Sequence, residues 1–428
     1  MNNNYRVLLH AVITKRDIGS LYILSKLLEN FGCECFIAGT NSYASKITRL
    51  WNPHAVIHVT LNRTEVLSDL YPNADLFYYS GEGGESYEFS MEKRLAEDEN
   101  FFNKITSSYL WGESTKNHII KRIDELKNKS FLYKKKDLIE SRIKVMGHPR
   151  LDIIKYFPIV KSSKQKKINI GLVGSFNMLN SLTLGKSSTV RRVFNGSDSD
   201  EVVFQATLLN SYAKIINSLN PDKYRISIRP YPLEDIKQYL SSKWVENGRV
   251  QVDQSIEFGV WAVQQDIIVG PTSSTLSQIA ISKKPFINLD ALNNRSTKAY
   301  KDSMRGVFID HLETHCPKTY NDLFKMIENY RNLIVTNKEF DILMNNLYNC
   351  DQQHSCLLSV AKDIVQNLNR KKNKIRKGIP KKVMTKLHDL KYDKKEAETT
   401  YGYFSYRKIK DSLKSELDSI VNNILKSI

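Results

Sequence analysis

Cysteine is scarce and scattered in this sequence: Cys33, Cys35, Cys316, Cys350 and Cys356 are the five in 428 residues. An odd, dispersed set fits a reducing compartment better than a disulfide framework. Cys33 and Cys35 alternate along a strand pattern, so their thiols leave on opposite faces. His354, between Cys350 and Cys356, completes no four-ligand set, and no metal site is expected. No stretch approaches the roughly 20 apolar residues that a membrane span needs. The opening MNNNYRVLLHAVITKRDIGS lacks a basic start, a long apolar region and a small-residue cleavage site, so no secretory signal is expected. Walker A, G-x-S-x-G and H-E-x-x-H patterns are absent, which removes the commonest signposts of nucleotide hydrolases, serine hydrolases and zinc peptidases.

What is present is a basic chain with apolar residues for packed cores. The apolar fraction is 41% and the net charge +18. The length suggests two domains of ordinary size with some extra. The charge is concentrated: between Arg370 and Lys395 twelve Lys and Arg stand against Asp389 and Asp393. Such a segment points to an anionic partner, be it a membrane surface, a nucleic acid or a polyanionic polymer. A solvated tail is the plain alternative.

Strand-like and helix-like segments alternate along the first 160 residues. YRVLLHAV (5–12), CECFIAG (33–39), AVIHVT (55–60) and ADLFYYS (74–80) read as buried strands, with helix patterns between them. KSSKQKK (161–167) reads as a linker, and the alternation restarts with INIGLVGS (168–175). Such alternation predicts parallel, doubly wound sheets. Beyond Arg370 two amphipathic patterns follow. One starts at Pro380 and carries Val383, Met384, Leu387 and Leu390; the other carries Ile409, Leu413, Leu417, Ile420, Val421, Ile424 and Ile428. The last is expected to pack on the body or a partner, and the segment 381–391 is the better membrane candidate.

Ligands of open α/β sheets sit at the carboxyl ends of strands, so candidate residues belong there. Four stretches qualify. IIVGPTSSTLSQ (267–278) ends a strand at Gly270 and opens a helix with Thr272, Ser273, Ser274 and Thr275, whose small side chains would let a phosphate meet unpaired N–H groups. The competing reading is a helix cap without a ligand. SIRPYPLED (227–235) holds Arg229 on backbone stiffened by prolines, as a bidentate phosphate contact or in an ion pair with Glu234 or Asp235. GLVGSFNMLNS (171–181) supplies Gly174, Ser175 and Asn177 at a turn, though it is not G-x-G-x-x-G. YYSGEGGES (78–86) offers Glu82 and Glu85 as general base or nucleophile on a sugar, or as a solvated acidic turn.

The order WGES (111–114), VMGHPRLDI (145–153), IGLVGSFNMLN, RPYPLED and SIEFGVWAVQQDIIVGPTSSTLSQIAISKKPFINL resembles the bacterial surface carbohydrate biosynthesis proteins. These are glycosyltransferase-B-type (GT-B) enzymes similar to transferases that use CMP-activated 2-keto sugars such as Kdo. The resemblance spans roughly residues 70–300. It implies two Rossmann-like domains facing across a cleft, with the donor nucleotide held mainly by the second. Carried over, Arg229 and Ser273 to Thr275 would hold the donor phosphate, Gly174 and Ser175 would line the same site, and Glu82 would face the acceptor. The family's His-Pro after the arginine is here Tyr231-Pro232, and its helix glutamate is Gln278. Tyrosine donates a hydrogen bond to phosphate but, unlike imidazole, does not take up and release a proton near neutral pH.

The expectation is an α/β chain of three parts. Residues 1–160 form an acceptor-side Rossmann-like domain, 161–369 a nucleotide-sugar domain, and 370–428 a basic helical extension. Arg229 and Glu82 are the expected catalytic residues. Gly174, Ser175, Asn177, Tyr231, Gly270, Thr272, Ser273, Ser274, Thr275 and Gln278 are the expected substrate contacts. The expected activity is a metal-independent, cofactor-free transfer of a sugar from a nucleotide-activated donor to a cell-surface glycan or glycolipid, as in capsule or lipopolysaccharide synthesis. The enzyme would be cytoplasmic, with 370–395 on the inner face of the plasma membrane and no nucleic acid partner. The rivals are a CDP-alditol-dependent glycerophosphate or ribitol-phosphate transferase and a non-catalytic scaffold binding an anionic polymer.

Overall fold

A computed structural model describes residues 5–12, 14–39, 48–60, 63–79, 94–158, 167–180, 199–232, 234–253, 255, 257–273, 275–295, 315–334, 338–350, 354–370, 378–392 and 411–427. The chain divides into two compact units, Met1–Pro158 with Asp341–Ile428, and Ile159–Phe340. The division between Pro158 and Ile159 is close to the expected one. The other end differs: residues from Asp341 onward pack with the first unit, where the expectation kept 161–369 together.

The first unit holds a six-stranded sheet of β1 (Arg6–Ala11), β2 (Glu34–Gly39), β3 (Ala55–His58), β4 (Asp75–Tyr79), β5 (Ser107–Leu110) and β6 (Ile143–Val145), in the order β2-β1-β3-β4-β5-β6. Every pairing is parallel. The strands are buried on both faces, which is why they read as near-continuous apolar runs rather than as alternation. Helix Thr14–Asn30 carries Ile18, Leu21, Leu24, Leu27 and Leu28, all fully buried or nearly so. Each such side chain contributes about 1.5–3 kcal/mol. Gly32, at φ 81°, takes the left-handed turn that ends this helix region and leads into β2.

The returning chain explains the split. Asp152 is fully buried in the short helix Leu151–Tyr156. Its carboxylate accepts hydrogen bonds from Ser355 Oγ (2.5 Å), Cys356 N (3.0 Å) and Leu357 N (2.8 Å), at the start of helix Cys356–Arg370. Trp111, His148 and Tyr348 form a cluster of tilted and edge-on rings, with Trp111 and His148 ring centroids 4.3 Å apart. A Cβ on Gly112 would stand 2.2 Å from the Asn346 carbonyl oxygen, so that glycine permits the close approach. Trp111 and Gly112 of WGES thus meet the end of helix Lys338–Tyr348, while Asp152 of GHPRLD seats the start of helix Cys356–Arg370. Tyr109 and Lys144 also reach its Asp363, at 2.9 and 2.5 Å.

The extension packs on the same unit. Helix Lys381–Tyr392 sends Met384, fully buried, into the cluster of Phe36, Trp51 and Val56. Helix Asp411–Lys426 buries Leu417, Ile420, Val421 and Ile424, and Tyr22 Oη donates to its Asp418 at 2.8 Å. The last helix therefore packs on the body. Among the described residues no helix is long and apolar enough to cross a membrane.

The second unit holds β7 (Ile168–Val173), β8 (Tyr224–Arg229), β9 (Val250–Val252), β10 (Ile267–Gly270) and β11 (Phe286–Asn288) in the order β11-β10-β7-β8-β9, again all parallel. Helix Ser199–Ser218 lays Phe204, Leu208, Tyr212, Ile215 and Ile216 on this sheet at helical spacing. On the side of Gly171, the Trp261 ring lies where a Cβ would be, 2.7 Å away, so the strand and helix Phe258–Val263 pack without a side chain between them. Both units are Rossmann-like α/β layers.

Candidate functional site

The chain order through the second sheet creates one special place. From β7 it proceeds to β8 and β9 on one side, then returns to β10 and β11 on the other. The crevice between β7 and β10, at their carboxyl ends, is the switch point where doubly wound sheets take ligands. Gly174 and Ser175 follow β7, and Thr272, Ser273 and Thr275 follow β10. Arg229 ends β8, the other neighbour of β7, in register with Val173. The fold thus gathers three of the four candidate stretches on adjacent strands of one sheet. Glu82, Glu85 and Ser274 lie outside the described residues.

The local chemistry is more acidic than the sequence suggested. Asp290, two residues after β11, is fully buried, and both its carboxylate oxygens lie within reach of Thr272 N–H, at 3.2 and 3.3 Å. Burial pushes its carboxyl up, against the hydrogen bonds of Thr272. Glu234 accepts from the backbone N–H of Phe176, from Tyr231 N (3.0 Å) and from Tyr239 Oη (2.5 Å). Three backbone donors near the strand ends, those of Thr272, Phe176 and Tyr231, are therefore held by the protein's own carboxylates. Burial, then the charge of Glu234, pushes the Tyr239 phenol well above its ordinary range.

Arg229 is buried, with 5% of its surface exposed, and its Nη1 donates to Asp253, to Ser255 O (2.6 Å) and to Ser255 Oγ (2.7 Å). It forms an ion pair with Asp253, which lies just beyond β9, a partner the sequence reading did not name. An arginine so fixed has its direction set by a counter-charge, which lowers the net charge it offers a ligand.

The hydroxyls after β10 are occupied as well. Thr272 Oγ1 accepts from Asn288 Nδ2 at 2.8 Å, and Ser273 Oγ and Thr275 Oγ1 share a hydrogen bond of 2.6 Å. Thr275 precedes the short helix Leu276–Ile281 without capping it through its side chain. Gln278, 2% exposed, leaves its carbonyl oxygen Oε1 buried with no partner among the described residues. Asn177 Oδ1 receives Gln205 Nε2 at 3.0 Å, while Tyr231 is exposed. A Cβ on Gly174 would meet Arg229 O at 2.7 Å, and one on Gly270 would meet Val173 Cβ at 2.8 Å. These glycines let β7, β8 and β10 end close together rather than clear space for a ligand.

The first sheet has a switch point of its own, between β1 and β3. There His10 and His58 stand in register, both buried. Burial brings His10 down to about 3 and His58 to about 4, with the charges of His58 and Arg63 adding to the effect at His10. Both nitrogens of His10, Nε2 of His58, and the hydroxyls of Thr60 and Thr64 have no hydrogen-bond partner among the described residues. Sequence reading passed over these histidines because each ends an ordinary apolar strand. It passed over Asp253 and Asp290 although each follows a strand pattern directly, the one available signal.

At the amino ends of β1 and β2 a depression of about 620 Å³ is lined by Arg6, Glu29, Glu34, His54 and Lys381, among others. Charges of both signs line it, and it lies at the opposite end of the strands from the switch point. Among the described residues no group of three or more His, Cys, Asp or Glu is placed to hold a metal ion.

The sequence matches no family model, and no curated protein matches it at a significant level. Solved structures do. The wall teichoic acid polymerase TagF superposes with a TM-score of 0.54 at 11% identity, over 86% of this chain and 90% of that one. S. aureus MnaA with UDP gives 0.49 at 10% identity over 87% and 98%, and Methanocaldococcus jannaschii UDP-GlcNAc 2-epimerase gives 0.47 at 12% over 85% and 99%. The chain has the α/β fold of two Rossmann-like units that characterises GT-B enzymes.

Proposed function

We propose that this chain is a metal-independent glycosyltransferase that moves a sugar from a nucleotide-activated donor to a cell-surface glycan or glycolipid. The observation that carries the reading is the convergence of Gly174-Ser175, Arg229, and Thr272, Ser273 and Thr275 on three adjacent strand ends around the β7/β10 switch point. The donor phosphate would sit there, with Asn177 and Tyr231 at the rim and Ser273 and Ser274 against it. Gln278 Oε1, buried and without a partner among the described residues, is an acceptor that a donor hydroxyl would satisfy.

In the transfer, the acceptor oxygen bonds to the anomeric carbon as that carbon's bond to the nucleotide phosphate breaks. The electron pair leaves with the phosphate, and Arg229, held in place by Asp253 and Ser255, stabilises the developing charge. Glu82 would take the acceptor proton. A CMP-linked 2-keto sugar is the donor we favour. On this reading the enzyme works in the cytoplasm.

A second reading, transfer of an alditol phosphate from a CDP-alditol, is supported by the likeness to TagF, which was also solved after soaking with CDPG. Calorimetry with CMP, UDP and CDP, followed by a donor screen, separates the readings. Binding and turnover of a CMP-sugar supports the first, and turnover of a CDP-alditol alone supports the second. Failure to bind any of the three nucleotides favours a scaffold. Turnover that vanishes with a chelator and returns with Mn²⁺ overturns the metal-independent part.

A further inference from the structure

We propose that the outer face of helix Lys381–Tyr392 docks the protein on an anionic lipid surface. The inference stands independently of the transferase reading.

The helix is anchored from its inner side. Met384 is fully buried, Ile379 N donates to Leu50 O at 3.0 Å, and Lys381 Nζ reaches Glu29 at 3.2 Å. On Gly378, a Cβ would stand 2.4 Å from Arg6 Nη1 and 2.5 Å from Trp51 O, so the approach to the helix is closely packed. These contacts lie at the amino ends of β1 and β2 and just before β3. They leave the carboxyl ends of the first sheet uncovered by this segment.

The anchoring fixes what faces outward. Lys382, Val383, Lys386 and Leu387 are all exposed, Val383 at 46% and Leu387 at 42%. By helix geometry these four positions cover about 140° of the circumference, with the lysines on one flank and the apolar pair beside them. Scattered exposed apolar residues need no explanation. Here, however, an i, i+4 apolar pair lies beside two lysines that have no ion pair among the described residues. That is the pattern of an interfacial helix: the apolar residues enter the acyl boundary while lysines reach headgroup phosphates. Charge complementarity selects the occupant, since Arg370 to Lys395 carries twelve basic residues and two acidic ones. A protein groove or a nucleic acid would use the lysines, but neither accounts as well for the apolar pair on a helix whose other side is already seated.

The test uses the full chain in flotation with phosphatidylcholine vesicles that contain or lack phosphatidylglycerol. The expected result is flotation with the anionic vesicles only, weakened by salt. Lys382→Ala/Lys386→Ala should reduce partitioning about thirtyfold, from about fivefold per lysine. Val383→Asp/Leu387→Asp should reduce it at least about tenfold, with an unchanged melting transition because both residues are exposed. Absence of flotation by the wild type, or equal flotation by wild type and both variants, overturns the proposal. So does a result in which the lysine variant loses heparin or single-stranded DNA binding while flotation stays the same.

Discussion

Asp152 and Ser355 are separated by 203 positions in sequence, yet Ser355 Oγ donates to the Asp152 carboxylate at 2.5 Å inside the first unit. The same carboxylate satisfies the first N–H groups of the helix that follows. It acts as a helix cap supplied from another part of the chain. Asp152→Ala leaves three buried donors unmatched and is expected to cost about 3 kcal/mol or more. Thermal unfolding should show a fall of several degrees, about 5–10 °C. A variant that melts with the wild type would show that the carboxylate is dispensable.

The buried histidines set an acid limit. His10 and His58 are depressed to about 3 and about 4 in the folded protein, against an ordinary 6.5. The unfolded chain therefore binds two more protons between those values and 6.5, so their contribution is fully present above 6.5 and fades as pH falls. Asp152 acts in the opposite direction, because burial raises it to about 6 and the folded form holds its proton longer. Between about pH 5 and 6 the two histidines outweigh it, and these three groups together should make stability rise with pH by roughly 1.4 kcal/mol per unit. Urea titrations across that range measure the slope. His58→Leu should flatten it, and a slope of the opposite sign would contradict the buried neutral pair.

Glycines at the second switch point are expected to be packing sites. Gly174→Ala drives a methyl onto the Arg229 carbonyl and the Pro230 Cα, both backbone atoms. The cost should be about 1–3 kcal/mol, read as a lower urea midpoint. If Gly174→Ala instead keeps its midpoint and loses nucleotide binding in calorimetry, the residue faces the ligand.

Arg229 should matter to turnover more than to nucleotide affinity. Removing a donor aimed at a developing charge lowers kcat by about a hundredfold or more. Arg229→Ala also strands Asp253, so Arg229→Ala/Asp253→Asn is the cleaner variant, removing the orphaned charge. Steady-state kinetics with the identified donor decide. An unchanged kcat in the double variant would remove Arg229 from the mechanism.

Much of the fold was legible because both sheets are buried on two faces. Short apolar runs such as Ile267 to Val269, bounded by turn residues, read as interior strands, and the loops between them fixed the alternation. The gathering of Gly174, Arg229 and Thr272 followed from that alternation plus the strand-end rule. What periodicity could not show was pairing at long range. Asp253 claims Arg229, Asp290 claims Thr272, and Asp152 claims the helix that starts at Cys356. Each partner lies on another element, so no local pattern marks it. For the same reason, nothing local showed that GHPRLD, which helps carry the resemblance, also seats through Asp152 a helix two hundred residues away. Met384 was read as one of an apolar face with Val383 and Leu387, whereas the structure buries the first and exposes the other two, because the helix meets the body along a single line.

The first unit is made from both ends of the chain, with the second inserted between them. Helix Thr14–Asn30 packs against helices Cys356–Arg370 and Asp411–Lys426. On a ribosome adding about 5–20 residues per second, its apolar side waits roughly 15–65 s for the first of them. The nascent chain must therefore carry an incomplete half through most of its own synthesis. A chain stopped just short of Cys356 would hold a finished second unit beside an unclosed first one, the kind of fragment that chaperones and proteases recognise.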